Sequence, residues 1–256
     1  MSTAITPFEI HKNIFFVGSK RVSVHVFKTS AGLVMLDTGY PDMYEEIIEN
    51  MQKVGLDPKD LCAIIHSHGH IDHFGCTIKL KALSGAKTYI SRIDNEIANG
   101  NLNLSWADET GYAHTPFDCD VLIDDGDSFT FGDITIRCRL TPGHTDGTLS
   151  FFITMQDGTI AAMHGGVGLN TMTKKFLEKY NLSPSCMDVF REGLHALKSE
   201  KVDLVLGNHA GQSDTEGKLA RAETSTENPF IDPTEWGRFL EKCRIKLEEL
   251  IESEKE

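Results

Sequence analysis

His66-Ser67-His68-Gly69-His70-Ile71-Asp72-His73 packs four imidazoles and a carboxylate into eight residues. The stretch follows a short apolar run, 61–66, containing β-branched Ile64 and Ile65, so the cluster starts where a buried strand ends. Imidazoles packed this closely repel one another when protonated and waste desolvation when neutral, unless a cation draws on their lone pairs in common. A bound metal is the simplest reason for the pattern. Nitrogen and oxygen donors without a thiolate suit zinc first, with iron or manganese as alternatives.

Outward from this cluster the pattern alternates between sheet and helix. Residues 13–17, 22–28 and 33–37 alternate apolar with polar, the period of half-buried strands. Pro41 then opens a helix with Met43, Ile47, Met51 and Val54 on one face, and Gly55 closes it. A further helix is expected over 74–83, and 100–120 reads as an irregular loop. Strands return at 128–131, 134–140, 148–154 and 159–163, the last two joined by an Asp157-Gly158 turn. Helices fit 187–198 and 234–252, with an apolar strand at 202–206 between them. No linker, repeat or low-complexity tract interrupts this order, so residues 1–256 are read as a single domain with two sheets, each covered by helices.

Composition narrows the partners. The 256 residues carry 25 Lys and Arg against 38 Asp and Glu, a formal net charge of −13, and no basic stripe. Nucleic acid is a poor partner for such a surface, since phosphate binding rewards Lys and Arg. No apolar run approaches the roughly 18 residues of a membrane span. A small-molecule substrate is the expected partner. The start, M-S-T-A-I-T-P-F-E, lacks a basic n-region and an apolar h-region, so a cytoplasmic location is expected, or a periplasmic or secreted one if a leader has been removed. The six cysteines form no close pair and are expected to be reduced, mostly core thiols.

His68, His70, Asp72 and His73 fill the pattern H-x-H-x-D-H and, with three further motifs, resemble the metallo-β-lactamase superfamily. Leu36-Asp37-Thr38-Gly39 is similar to the strand-end D-T-G that buttresses the metal loop from behind. Thr141-Pro142-Gly143-His144-Thr145 is similar to the motif supplying the third histidine, and Gly207-Asn208-His209 stands where the family places its last one. The order runs from Asp37 to His209. The resemblance implies an α/β fold, an αβ/βα four-layer sandwich of two facing mixed sheets covered by helices, with the site on loops at one edge.

It also implies a division of ligands: His68, His70 and His144 for one metal, Asp72, His73 and His209 for a second, hence two Zn²⁺ ions. Three protein ligands per metal leave room for water, the mark of a catalytic site. Asp72 is expected to orient the nucleophile and accept its proton. Many relatives bridge their metals with an aspartate after the strand at 159–163, whereas here His164-Gly165-Gly166-Val167-Gly168-Leu169-Asn170 follows. That absence, the Asn208-His209-Ala210-Gly211 run and Asn228-Pro229-Phe230-Ile231-Asp232-Pro233 are most similar to the third lactamase subclass, which uses histidine and aspartate alone. Trp236 stands near the place where secreted members carry a disulfide.

The implied activity is opening of a cyclic amide such as a β-lactam by a metal-activated hydroxide. A metal-dependent lactonase or thioesterase on the same fold is the alternative, and a non-hydrolytic di-iron redox protein a weaker one, with no flavin domain or C-x-x-C relay to accompany it. His164, Gly166 and Asn170 are expected at the substrate, with the glycines allowing close backbone approach. His66 is expected to be packed rather than a ligand. Trp106, Tyr112 and His114 are weighed as pocket walls against simple tethers, and His11, His25 and His195 carry no functional assignment.

Overall fold

The structure, a computed structural model, describes residues 3–255. In chain order the strands are β1 (Phe8–His11), β2 (Ile14–Phe16), β3 (His25–Thr29), β4 (Gly32–Leu36), β5 (Leu61–Ile65), β6 (Lys87–Ser91), β7 (Val121–Ile123), β8 (Ser128–Phe131), β9 (Ile134–Leu140), β10 (Leu149–Thr154), β11 (Ile160–His164) and β12 (Leu204–Val205). The helices are α1 (Tyr44–Lys53), α2 (Ile71–Phe74), α3 (Thr77–Ser84), α4 (Asn95–Ala98), α5 (Ala107–Thr110), α6 (Lys174–Tyr180), α7 (Cys186–Ala196), α8 (Thr215–Ala222) and α9 (Glu235–Ser253).

Strands β1 to β7 form one sheet in sequence order, antiparallel up to β4 and parallel from β4 to β7. Parallel neighbours need a crossover, and α1 and α3 supply two of them. The second sheet runs β12-β11-β10-β9-β8, antiparallel except for the β11–β12 pair. Both sheets are mixed.

The two-residue period of each strand sorts its side chains into layers. Val34 and Leu36 join Ile65, Phe151, Ile153 and Met163 in the core between the sheets. Their neighbours Leu33 and Met35 point outward, with Ile64, onto Met43, Ile47 and Met51 before and on α1. Phe152 and Ala162 face outward from the second sheet onto Phe190 and Leu194 of α7 and Trp236 and Leu240 of α9. An apolar face on both sides of each sheet is what forces helix, sheet, sheet and helix into an αβ/βα sandwich.

The expected helix over 74–83 is α3, which begins three residues later because the short α2 ends at Phe74 and Gly75 and Cys76 separate the two. A Cβ at Gly75 would lie 2.5 Å from Pro41, so the chain there is pressed against the segment leading into α1. Within the expected loop only the single turn α5 is helical, while β6, β7, α6 and α8 stand where no element was expected. Of the run 202–206, Leu204 and Val205 pair with β11, and Leu204 also bridges Ile231. All six cysteines are free. Among the described residues no helix is long and apolar enough to cross a membrane.

Topology brings the motif-bearing loops to one edge. β4 and β5 are parallel neighbours, so Asp37 and the 66–73 loop leave the sheet on the same side. β11 and β12 are likewise parallel, and Ser150 pairs with His164, which sets the β9–β10 loop beside the end of β11. Backbone bonds join the two edges: Leu149 N to Ser67 O at 2.9 Å and Ser23 N to Asn208 O at 3.0 Å.

Candidate metal centre

Two groups of ligand-type atoms converge at that edge, His68, His70 and His144 in one and Asp72, His73 and His209 in the other. Within each group the atoms lie within 4.8 Å of one another. In the first, His70 Nδ1 is 3.0 Å from His68 Nε2 and 3.1 Å from His144 Nε2. In the second, Asp72 Oδ2 is 3.3 Å from His73 Nε2 and 3.5 Å from His209 Nε2.

The far side of these rings decides which nitrogen carries the proton. His144 Nδ1 donates to Gly168 O at 2.7 Å, His209 Nδ1 to Arg21 O at 2.8 Å, and His73 Nδ1 to Asp37 Oδ2 at 2.7 Å. Each of the three therefore turns Nε2 toward its group. Burial holds His144 down to about 4 and His209 below its ordinary value, and keeps His68 and His70 well below it. At neutral pH these four rings are uncharged and their lone pairs face common points. Neutral imidazole nitrogens and a carboxylate aimed inward, with nothing but one another to bond, are a donor set that fits two divalent ions.

His73 differs. Despite burial, Asp72 and Asp37 on either side raise it to about 10, and it in turn holds the Asp72 carboxyl far below the usual carboxylate range. Without a metal the second group is a buried ion pair whose proton sits on the nitrogen a cation would take.

Asp37 anchors the loop. It adopts a left-handed backbone, φ 59°, which an aspartate tolerates better than most residues. Its carboxylate accepts from Ser67 N at 2.7 Å and Ser67 Oγ at 2.8 Å as well as from His73. Thr38 N adds a bond to His73 O at 2.8 Å. His66 lies beneath, bonded through its two nitrogens to His73 O and Thr77 Oγ1, and takes no place in either group.

Asp94 has no sequence motif and was not anticipated. Fully buried, it accepts from Gly69 N at 2.7 Å, Thr145 Oγ1 at 2.6 Å and Gly147 N at 2.9 Å, tying the loop of His68 and His70 to that of His144. Burial pushes its carboxyl up to about 6 against those three donors.

His164 is buried against Phe190, accepts from Gly166 N at 3.3 Å, and leaves Nε2 without a partner. A Cβ at Gly166 would come within 2.8 Å of the His144 ring, so glycine lets this loop lie flat on that imidazole. Asn170 is exposed at the start of a single 3-10 turn beside Gly168. Trp106 stacks 5.7 Å from His70, whereas Tyr112 bonds Arg21 and His114 bonds Ala98 O, both acting as tethers.

Comparison with known proteins places the fold in a family. A family model described as the metallo-beta-lactamase superfamily matches residues 18–162. The crystal structure of BJP-1, a subclass B3 metallo-beta-lactamase of Bradyrhizobium japonicum, superposes with a TM-score of 0.89 at 25% identity, covering 99% of this chain and 96% of that one. Native FEZ-1 metallo-beta-lactamase of Legionella gormanii shares the fold with a TM-score of 0.89 at 23% identity, over 100% and 98% of the two chains. A probable metallo-hydrolase of Bacillus subtilis, YqgX, is 27% identical over 191 residues, 73% of this chain and 82% of that protein. Other curated relatives, at 31–35% identity, are spanned over only 25–56% of their own length.

Proposed function

The chain belongs to the metallo-beta-lactamase superfamily, and from that premise we propose that it is a dinuclear zinc hydrolase opening a cyclic amide of the β-lactam type. The observation that carries this is the pair of convergent groups, His68, His70 and His144 beside Asp72, His73 and His209, with imidazole tautomers set from behind by Gly168 O, Arg21 O and Asp37. Zinc is chosen because the donors are nitrogen and oxygen without thiolate.

Two ions held there would supply Lewis-acid polarisation of a carbonyl and lower the pKa of a water from about 15.7 to about 7. The protein's own part is positioning. Asp72 orients the attacking water and takes its proton, and Asp37 keeps His73 in the tautomer that faces inward. The His144 loop, fixed by Asp94 and backed by Gly166, holds one wall of the cleft, where Asn170 stands as a substrate contact, while His164, buried against Phe190, acts on that wall through its bond to Gly166 N. Three features support the lactam among carbonyl substrates: resemblance to subclass B3, a ligand set without cysteine, and the absence of a carboxylate after β11.

A parallel screen of penicillins, cephalosporins, carbapenems, acyl-homoserine lactones and glutathione thioesters on zinc-loaded protein tests the reading. Lactam turnover is expected, falling by orders of magnitude with Asp72→Ala. Efficient lactone or thioester cleavage with no lactam turnover would overturn the substrate and leave the metal centre standing.

A further inference from the structure

The six ligand-type side chains are not all held in the same way. His68, His70, Asp72, His73 and His144 are buried, so the packing of the loops that carry them restrains their orientation. The side chain of His209 is 35% exposed. It stands on the loop after β12 and meets the ring of His73 edge-on, with ring centres 5.2 Å apart. Solvent leaves that ring room to turn. Its bond from Nδ1 to Arg21 O, at 2.8 Å, is what aims Nε2 at Asp72 and His73.

Arg21 is itself fixed at both ends. Its backbone lies in the tight turn between β2 and β3, where Ser19 N donates to Val22 O at 3.0 Å and Arg21 N donates to Ser19 Oγ at 3.1 Å. The far end of its side chain is gripped by two other segments. The guanidinium lies 4.5 Å from the ring centre of Tyr40, donates to Asp42 at 2.9 Å and donates to the Tyr112 hydroxyl at 2.6 Å. Tyr40 and Tyr112 close the cluster with ring centres 5.2 Å apart. A half-exposed Arg–Asp pair adds little stability by itself, because water screens it. Three contacts converging on one such guanidinium point to a task other than holding the fold. Tyr112 belongs to segment 106–117, in which only α5 is helical. At the start of that segment Trp106 stacks 5.7 Å from His70. The segment therefore touches a ligand of the first group directly and reaches a ligand of the second through Arg21.

We propose that Arg21 is a positioning residue for the second metal ion. Its guanidinium, clamped by Tyr40, Asp42 and Tyr112, holds in place the carbonyl that aims His209, so the 106–117 segment governs how tightly Asp72, His73 and His209 retain their ion. The inference rests on the dinuclear reading proposed above. The clamp needs a planar fork, with one face on Tyr40 and two edges bonded to Asp42 and Tyr112, and a lysine ammonium offers neither the face nor the fork. Arg21 touches no reacting atom, and its effect falls on metal retention.

The test reads the two ions separately and needs no turnover. Zinc-loaded protein is titrated with a chromophoric chelator, and cadmium-substituted protein is followed by ¹¹³Cd NMR, in which each group has its own resonance. Loss of a partner that orients a metal ligand lowers affinity by about 10–100-fold, so Arg21→Ala is expected to weaken the second ion by about tenfold or more and leave the first unchanged. Tyr112→Phe removes one hydroxyl and keeps the ring on Tyr40, and a loss of about threefold confined to the same ion is expected. Lys20→Ala, in the same turn but paired with Glu216 outside the clamp, should change neither. In the cadmium spectra Arg21→Ala and Arg21→Lys should move or broaden the resonance of the second group alone. Equal weakening of both ions would reduce Arg21 to general support of the fold and overturn the proposal, as would wild-type retention of the second ion in Arg21→Ala. Wild-type protein that takes up one ion or none would instead overturn the dinuclear reading, and the proposal with it.

Discussion

At the scale of single residues, the centre depends on which groups carry protons. His73 is raised by Asp37 and Asp72, so a cation binding there displaces the proton on Nε2. We expect metal loading near pH 7.5 to release about one proton from this residue, read by calorimetry in buffers of different ionisation enthalpy; zero release would contradict the arrangement. In the metal-free protein the sign follows from linkage. The folded pKa of His73 exceeds its unfolded value, so its contribution is full below about pH 6.5 and is lost as pH rises toward 10. His25, His66, His144 and His164 are instead lowered by burial, to about 3 or 4, and their contribution is lost as pH falls from about 6.5 through those values. Asp94, raised to about 6, pulls the other way between pH 4 and 6, but four imidazoles outweigh one carboxyl. Urea midpoints of the metal-free protein should therefore peak near neutrality and fall on both sides; a midpoint rising steadily from pH 7 to 10 would exclude the His73 assignment. His164→Ala should keep both metals and change KM or kcat modestly, since its nitrogens face neither ligand group; loss of one metal equivalent would make it a ligand.

At the scale of elements, what holds the site is the junction of two loops from different sheets. Asp94→Ala removes the acceptor for Gly69 N, Thr145 Oγ1 and Gly147 N at once, leaving buried donors unpaired at a cost of about 1–3 kcal/mol each before relaxation. Weaker metal retention in His68, His70 and His144's group is expected, seen as faster zinc loss to a chelator, with the other group less affected. The motif residues were legible because metal binding demands particular side chains at close spacing: His68, His70, Asp72, His73 and the T-P-G-H-T loop stand together as their order implied. Asp94 was not, because a carboxylate that only accepts backbone and hydroxyl bonds leaves no pattern in its own neighbourhood. β2 to β4 and β8 to β11 were legible as short apolar or alternating runs bounded by turn residues. β6 and β7 run over only five and three residues, too short for a period to stand out, and the start of α3 was placed three residues early because the Gly75 contact with Pro41 that separates it from α2 is a tertiary event.

At the scale of the whole molecule, the four layers exist to hold strand ends at one edge within bonding distance of each other. Phe151, fully buried between the sheets, is one of the side chains that fix that separation. Phe151→Ala should cost about 3–5 kcal/mol in urea unfolding, and the centre would lose order with it. The order of strand and helix runs in one uninterrupted domain foretold two helix-covered sheets, whereas the pairing order of the strands and the meeting of the sheet edges at Leu149 N and Ser67 O came only from the folded chain. On the proposed function, six side chains from these edges hold two metal ions that the chain uses for hydrolysis. Elemental analysis of protein purified after zinc-replete expression tests it most directly: about two zinc ions per chain are expected, dropping to about one in His144→Ala, whereas wild-type protein with no bound transition metal would contradict the account.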